Sequence, residues 1–172
     1  MRNIGLALIA LGVMSGAAHA LPEAVVHDYP SFQLAGQGRL RWFGLHIYDA
    51  KLWAENGKFD VAGRFALDIS YAREISSKRL VQSSLDEMRR LGWDDVKRLA
   101  AWRDAMTKVF PDVHKGDSIT GVNVPGSGVV FYHREKSIGV IDDREFARAF
   151  FAIWLDPRTR EPGLRNSLMG KP

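Results

Sequence analysis

The sequence predicts an α+β fold, one large antiparallel sheet with a layer of helices on one face. Strand-like and helix-like segments fall in separate blocks: strands, two helices, strands, two helices. A parallel sheet would need them to alternate. Within the strand blocks, turn-forming residues separate short apolar runs, the pattern of antiparallel neighbours. The length of 172 residues allows one domain.

The first block begins with Phe32 to Ala35, short and extended. Gly36-Gln37-Gly38 reads as a turn, because two glycines supply the backbone freedom a turn needs. Arg39 to Trp53 then reads as a single long strand, rich in aromatic and β-branched residues. Its odd positions are polar at both ends and apolar in the middle (Phe43, Leu45, Ile47), which fits a strand contacted on both faces. Glu55-Asn56-Gly57-Lys58 closes it. Phe65, Leu67, Ile69 and Tyr71 alternate with Ala66, Asp68 and Ser70, a half-buried strand.

The second block is helical. Ser76 or Ser77 can cap the first helix by accepting from its orphan first-turn N–H groups. Leu80, Ser84, Met88 and Leu91 form its stripe, and Gly92 is the expected stop. Asp94 or Asp95 begins the next helix, whose buried side is Val96, Leu99, Ala100, Met106 and Phe110. Pro111 ends it, lacking the N–H to continue.

Strands return at Ser118 to Val124, Val129 to His133 and Ser137 to Ile141, joined by Pro125-Gly126-Ser127-Gly128 and Arg134-Glu135-Lys136. A helix over about Asp143 to Leu155 follows, with Asp142 and Glu145 spaced as a capping box. Its apolar face is Phe146, Ala149, Phe150, Ile153 and Trp154. A short helix over roughly Leu164 to Met169 closes the chain, opened by Pro162 and ended by Gly170.

Residues 1–20 have the three parts of a secretory signal peptide: basic Arg2, an apolar run from Ile4 to Met14, and a final Ala18-His19-Ala20. Cleavage after Ala20 would leave the domain at 21–172. The style of this signal predicts a periplasmic location. No later run reaches the ~18 consecutive apolar residues of a membrane span, so the mature chain is expected not to be integral to the membrane.

Composition excludes several chemistries. With no cysteine there is no thiolate nucleophile, iron–sulfur cluster or disulfide. No dinucleotide fingerprint, phosphate-binding loop or zinc-protease motif occurs, so no cofactor is implied. His27, His46, His114 and His133 lack ligand spacing, so no metal is expected. The net charge of +4 is spread along the chain, which gives no nucleic-acid stripe. Gly126-Ser127-Gly128 lacks the glycine spacing of a nucleophile elbow. The acids Asp94, Asp95, Asp142, Asp143 and Glu145 sit at helix starts, where they complement the dipole.

Arg39 and Arg41 stand out. Two residues apart on a strand, they share a face, and that face continues as Phe43, Leu45 and Ile47. A permanently charged, bidentate guanidinium beside an apolar surface suits one end of a pocket for an amphipathic anion. The simpler reading is a solvated strand end whose arginines pair with surface acids.

Several phrases in order resemble the chalcone isomerase-like family, in its bacterial secreted branch. They are Gly36-Gln37-Gly38-Arg39-Leu40-Arg41 leading into Leu45-His46-Ile47-Tyr48-Asp49-Ala50-Lys51-Leu52-Trp53; the two helices around Gly92; Lys115-Gly116-Asp117; the Pro-Gly hairpin; Asp143-Arg144-Glu145-Phe146; Ile153-Trp154-Leu155-Asp156-Pro157; and Leu164-Arg165 with Leu168-Met169-Gly170. The resemblance implies an open-faced sandwich with a ligand cleft between sheet and helices. Plant enzymes of the family close chalcones to flavanones by intramolecular addition of a phenolate oxygen. They use an arginine and a threonine on the long strand, a tyrosine and a lysine near the second long helix, and a threonine in a later helix. Non-catalytic members bind fatty acids, the arginine holding the carboxylate.

Most of that set has no match here. A strict count for the arginine lands on Leu40, between Arg39 and Arg41. The strand threonine falls at Phe43, the tyrosine region reads Gly92-Trp93-Asp94-Asp95-Val96, and the late threonine falls near Ile153. Phe43 and Ile153 cannot donate to a developing enolate. The resemblance therefore implies a non-catalytic binder of a small amphipathic or fatty-acid-like anion. Arg41, with Arg39 as alternate, would hold the charge, and Phe43, Trp93, Met106 and Trp154 would line the apolar part. An isomerase (intramolecular lyase) would need Tyr48, Tyr71 or Tyr132 in the cleft. An envelope assembly partner would instead expose Trp53 or Trp102.

Overall fold

A computed structural model describes residues 20–171. The expected signal segment lies outside the described residues, apart from Ala20. Eleven elements follow in order: α1 (Glu23–Asp28), β1 (Phe32–Trp42), β2 (Leu45–Glu55), β3 (Phe65–Tyr71), α2 (Ser77–Arg90), α3 (Val96–Val109), β4 (Ser118–Asn123), β5 (Val129–His133), β6 (Lys136–Ile141), α4 (Arg144–Leu155) and α5 (Pro162–Leu168). The strands form one six-stranded sheet in sequence order, every neighbouring pair antiparallel. This is the predicted α+β layer arrangement.

The start of the sheet differs from the expectation. Gly36-Gln37-Gly38 is not a turn but lies inside β1. The chain reverses instead at Phe43-Gly44, where Trp42 pairs with Leu45 across a two-residue loop. Both loop residues have positive φ, 47° and 78°, as a type I′ hairpin requires. The expected long strand, Arg39 to Trp53, is thus the last four residues of β1, the hairpin loop and most of β2. The two glycines serve close approach: a Cβ on Gly36 would stand 2.2 Å from the Leu168 carbonyl oxygen, and one on Gly38 would stand 2.7 Å from Leu164 Cδ1. They let α5 lie directly on β1.

The helix starts follow local chemistry. The Ser76 hydroxyl accepts from Arg79 N–H, and the Asp95 carboxylate accepts from Arg98 N–H. At α4 the cap is Asp143 rather than Asp142, accepting from the N–H groups of Glu145 and Phe146. Gly92, φ 102°, releases the chain between α2 and α3. One helix was not foreseen. The six-residue α1 is too short to show a period, yet it buries Val25.

The main core lies between sheet and helices. Leu52, Leu67 and Phe131 from the strands meet Leu85, Met88, Trp102, Met106, Phe146 and Leu168 from the helices, all nearly inaccessible. Trp102 Nε1 donates to Asp143 Oδ2 at 2.8 Å, so the capping carboxylate of α4 also satisfies a buried indole. Trp102 is therefore core and no partner surface. Trp53 is half-buried against a smaller cluster on the opposite face, where α1 covers Ala66, Val122 and Tyr132.

Candidate functional site

A cavity of about 670 Å³ opens between the sheet and the helices, within the range of small-molecule sites. Its existence follows from how α2 packs. The buried side of α2 (Val81, Leu85, Met88) faces inward, and the helix leans chiefly on α3 and α4. Its other flank, Leu80, Ser83, Ser84 and Glu87, is left facing the sheet across a gap.

The floor is apolar: Leu67 and Ile69 from β3, Ile119 from β4, Phe131 from β5, with Phe110 and Phe150 from the helical side. Gly121 on β4 carries no side chain into the space. From the hairpin come Leu40, Trp42, Ile47 and Tyr48. Adjacent residues on a strand normally face opposite sides. Ile47 and Tyr48 both reach the cavity because the register shifts there: Leu40 pairs with Tyr48 but Arg41 with His46, leaving Ile47 as an extra residue.

Two tyrosines bring polarity inward. Tyr48 accepts a hydrogen bond from Trp154 Nε1 at 2.9 Å. Tyr71 packs edge-on against Tyr48, ring centroids 6.3 Å apart, and its hydroxyl makes no hydrogen bond among the described residues. Burial pushes both phenols well above the ordinary tyrosine range. At neutral pH both are uncharged donors.

Charge gathers at the rim. Arg73, Glu74, Arg79, Glu87, Arg160 and Glu161 all border the opening. Glu87 is neutralised twice, by Arg90 and by Arg160, each at 2.8 Å. Arg90 Nη1 also donates to the Arg158 carbonyl at 2.9 Å. These bonds pin the loop after α4 to α2 and fix one wall. Arg73 is different. Its Nε donates to the His46 carbonyl at 3.3 Å, which orients it, and no carboxylate pairs with it among the described residues. Arg79 likewise has no ion pair among them.

The expected site residues separate clearly. Trp154 lines the cavity, and so do Tyr48 and Tyr71. Arg39 and Arg41 do not. They share a face, as their spacing predicts, but it is the outer face of the sheet. Arg39 pairs there with Asp49 at 2.7 Å, beside a second depression that also includes His46 and Lys51. Leu40, between them, is the residue that faces the cavity. Phe43 is 88% exposed at the hairpin tip. Met106 is wholly core, and Trp93 packs on Trp102, ring centroids 6.0 Å apart. Tyr132 lies on the opposite face and donates to Asp28. Sequence reading missed Arg73 and Arg79, since neither belongs to a regular apolar pattern. Their one signal was position, just after a strand and in the first turn of a helix.

Among the described residues no group of three His, Asp or Glu side chains could hold a metal ion. No helix among them is long and apolar enough to cross a membrane.

An open antiparallel sheet roofed by helices, with a ligand-sized cavity between the layers, defines a small α+β class of folds. This chain belongs to the chalcone isomerase-like family, whose sequence model matches residues 14–170. Among solved structures it is similar to a fatty-acid-binding protein of Arabidopsis thaliana, at 11% identity and a TM-score of 0.63, covering 81% of this chain and 87% of that one. At that identity the likeness speaks for the fold. No curated protein sequence matches the chain.

Proposed function

We propose that this protein binds a small amphipathic carboxylate, of fatty-acid type, in the cavity between sheet and helices, without catalysis. One observation carries the reading: an apolar chamber whose rim holds two arginines, Arg73 and Arg79, with no carboxylate partner among the described residues. An acyl chain would lie against Leu67, Ile69, Ile119, Phe131 and Phe150. Its carboxylate would sit at the rim, where a guanidinium can bind both oxygens. The similar Arabidopsis protein is a fatty-acid-binding protein, which supports the reading. The signal-like residues 1–20 support export to the periplasm and a place in a secreted bacterial branch of the family. Cell fractionation tests that placement.

Displacement of a fluorescent fatty acid from the purified protein measures binding. Hydrogen bonds to a charged group contribute ~1.5–3 kcal/mol, so Arg73→Ala with Arg79→Ala weakens binding at least about tenfold. Arg39→Ala and Arg41→Ala leave it unchanged. Absence of binding, with no ligand released on native mass spectrometry of protein from the source cell, overturns the reading.

The free Tyr71 hydroxyl beside Tyr48 favours a second reading, an intramolecular lyase acting on a chalcone-like unsaturated ketone. A neutral phenol can donate to a developing enolate oxygen. Cyclisation of a chalcone above the uncatalysed rate, lost in Tyr71→Phe, would select it over simple binding.

A further inference from the structure

The β1–β2 hairpin presents an unusual tip. Trp42 is 54% exposed, Phe43 88% and Leu45 49%. Eight large apolar side chains are exposed among the described residues, and three of them fall within these four positions. Phe43 also holds φ 47°, a conformation that favours Asn or Gly at the first position of a two-residue hairpin turn. Its ring neighbour is Trp42, edge-on at 5.2 Å between centroids. A phenyl group here is costly to backbone geometry and to solvation alike. Neither cost is offset by burial within the chain.

The tip adjoins the cavity mouth and is flanked by positive charge. Trp42 belongs to both, exposed at the tip and lining the cavity. Arg41 precedes it and is exposed. Arg73 is tied to the hairpin beside its tip through the His46 carbonyl, and Arg79 borders the same opening. Against these three cations stand Glu74 and Glu161 on the rim, while Glu87 and Asp49 are neutralised by the arginines described above. Aromatic side chains flanked by arginine suit the headgroup layer of a bilayer, and the cationic surplus suits one with anionic lipids.

We propose that the Trp42-Phe43-Gly44-Leu45 tip docks on an anionic phospholipid bilayer, with Phe43 and Leu45 in the headgroup–acyl boundary, Arg41 on lipid phosphates, and Arg73 and Arg79 on phosphates while the cavity holds no acyl carboxylate. The cavity mouth then faces the membrane, so an acyl ligand passes between bilayer and cavity without crossing water. That passage rests on the acyl-binding reading; the docking does not.

Flotation of the purified protein with vesicles of phosphatidylglycerol and phosphatidylethanolamine, against pure phosphatidylcholine, tests it. The protein floats with the anionic vesicles and much less with the neutral ones. About 1 M NaCl, which shortens the screening length to ~3 Å, releases most of it. Phe43→Asn with Leu45→Ser lowers vesicle binding at least about tenfold. Arg41→Ala lowers it about fivefold. Neither Phe43 nor Leu45 lines the cavity, and Asn relieves the backbone at 43, so these variants fold and bind a fluorescent fatty acid in vesicle-free buffer as the wild type does. Failure of the wild type to float, or equal flotation of the tip variant, overturns the proposal. So does a homodimer in sedimentation velocity that the tip variant dissociates. Flotation without any fatty-acid binding leaves docking standing and removes the acyl-ligand reading.

Discussion

Replacing Gly36 by alanine tests whether this glycine serves close packing or a turn. The new Cβ would stand 2.2 Å from the Leu168 carbonyl oxygen and 2.4 Å from that of Ser167. Ordinary contact is about 3.5 Å, so α5 must retreat by roughly 1 Å or β1 must bend. The obstacle is helix backbone, which cannot rotate aside as a side chain can. Overpacking of this kind costs ~1–3 kcal/mol, and the upper half applies. The lower chain entropy of alanine returns ~0.4–1 kcal/mol. The net expectation is a loss of about 2 kcal/mol, or about 4–8 °C in Tm for a chain of this length. Urea and thermal unfolding measure it. Gly36→Asn is the discriminating partner. A turn glycine at positive φ tolerates asparagine best, whereas a packing glycine loses more with the larger side chain. Both variants within about 0.5 kcal/mol of wild type, or Asn better than Ala, would refute the close-approach argument. Gly38→Ala meets the movable end of Leu164 and should cost less, but Leu164 lines the cavity, so fatty-acid affinity should fall with it.

Two further outcomes follow from the hydrogen-bond network. Arg134 donates twice to Asp117, which holds that carboxyl down at about 2 against the usual 3.8, with help from His114 N–H. Between these values the unfolded chain binds more protons, so the contribution is present above pH 3.8 and is lost as pH falls toward 2. Asp117→Asn therefore flattens the acid limb of the stability–pH curve, measured by urea midpoints from pH 5 to 2. Trp154→Phe removes the donor to the Tyr48 hydroxyl, which should lower stability by ~1–2 kcal/mol and enlarge the chamber. Thermal melts read the first effect, and a shift of preference toward longer acyl chains reads the second.

The sequence by itself determined the layers of this protein. Antiparallel strands follow one another through short turns, and helix starts are written locally to within a residue: Ser76 or Ser77, Asp94 or Asp95, and Asp142, one residue before the cap the structure uses, Asp143. Period-two and helical patterns carried most of the core, because burial on one face of an element leaves its mark every second or every third to fourth residue. On α3, however, Val96 and Ala100, expected on the buried side, are exposed, and Trp102 is buried instead. The tertiary structure decided the site. Gly36 and Gly38 look the same in sequence whether they turn a chain or admit a helix, and only α5, more than a hundred residues later, settles which. The alternation rule put Arg39 and Arg41 on one face, but which face is the inner one depends on the partner strands and on the register shift at Ile47. Arg73, just after β3, is turned to the rim by the His46 carbonyl of the neighbouring strand, and Arg79 reaches the cavity because α2 leans on α3 and α4 instead of the sheet. That gap is a property of helix packing, and no local pattern of residues encodes it.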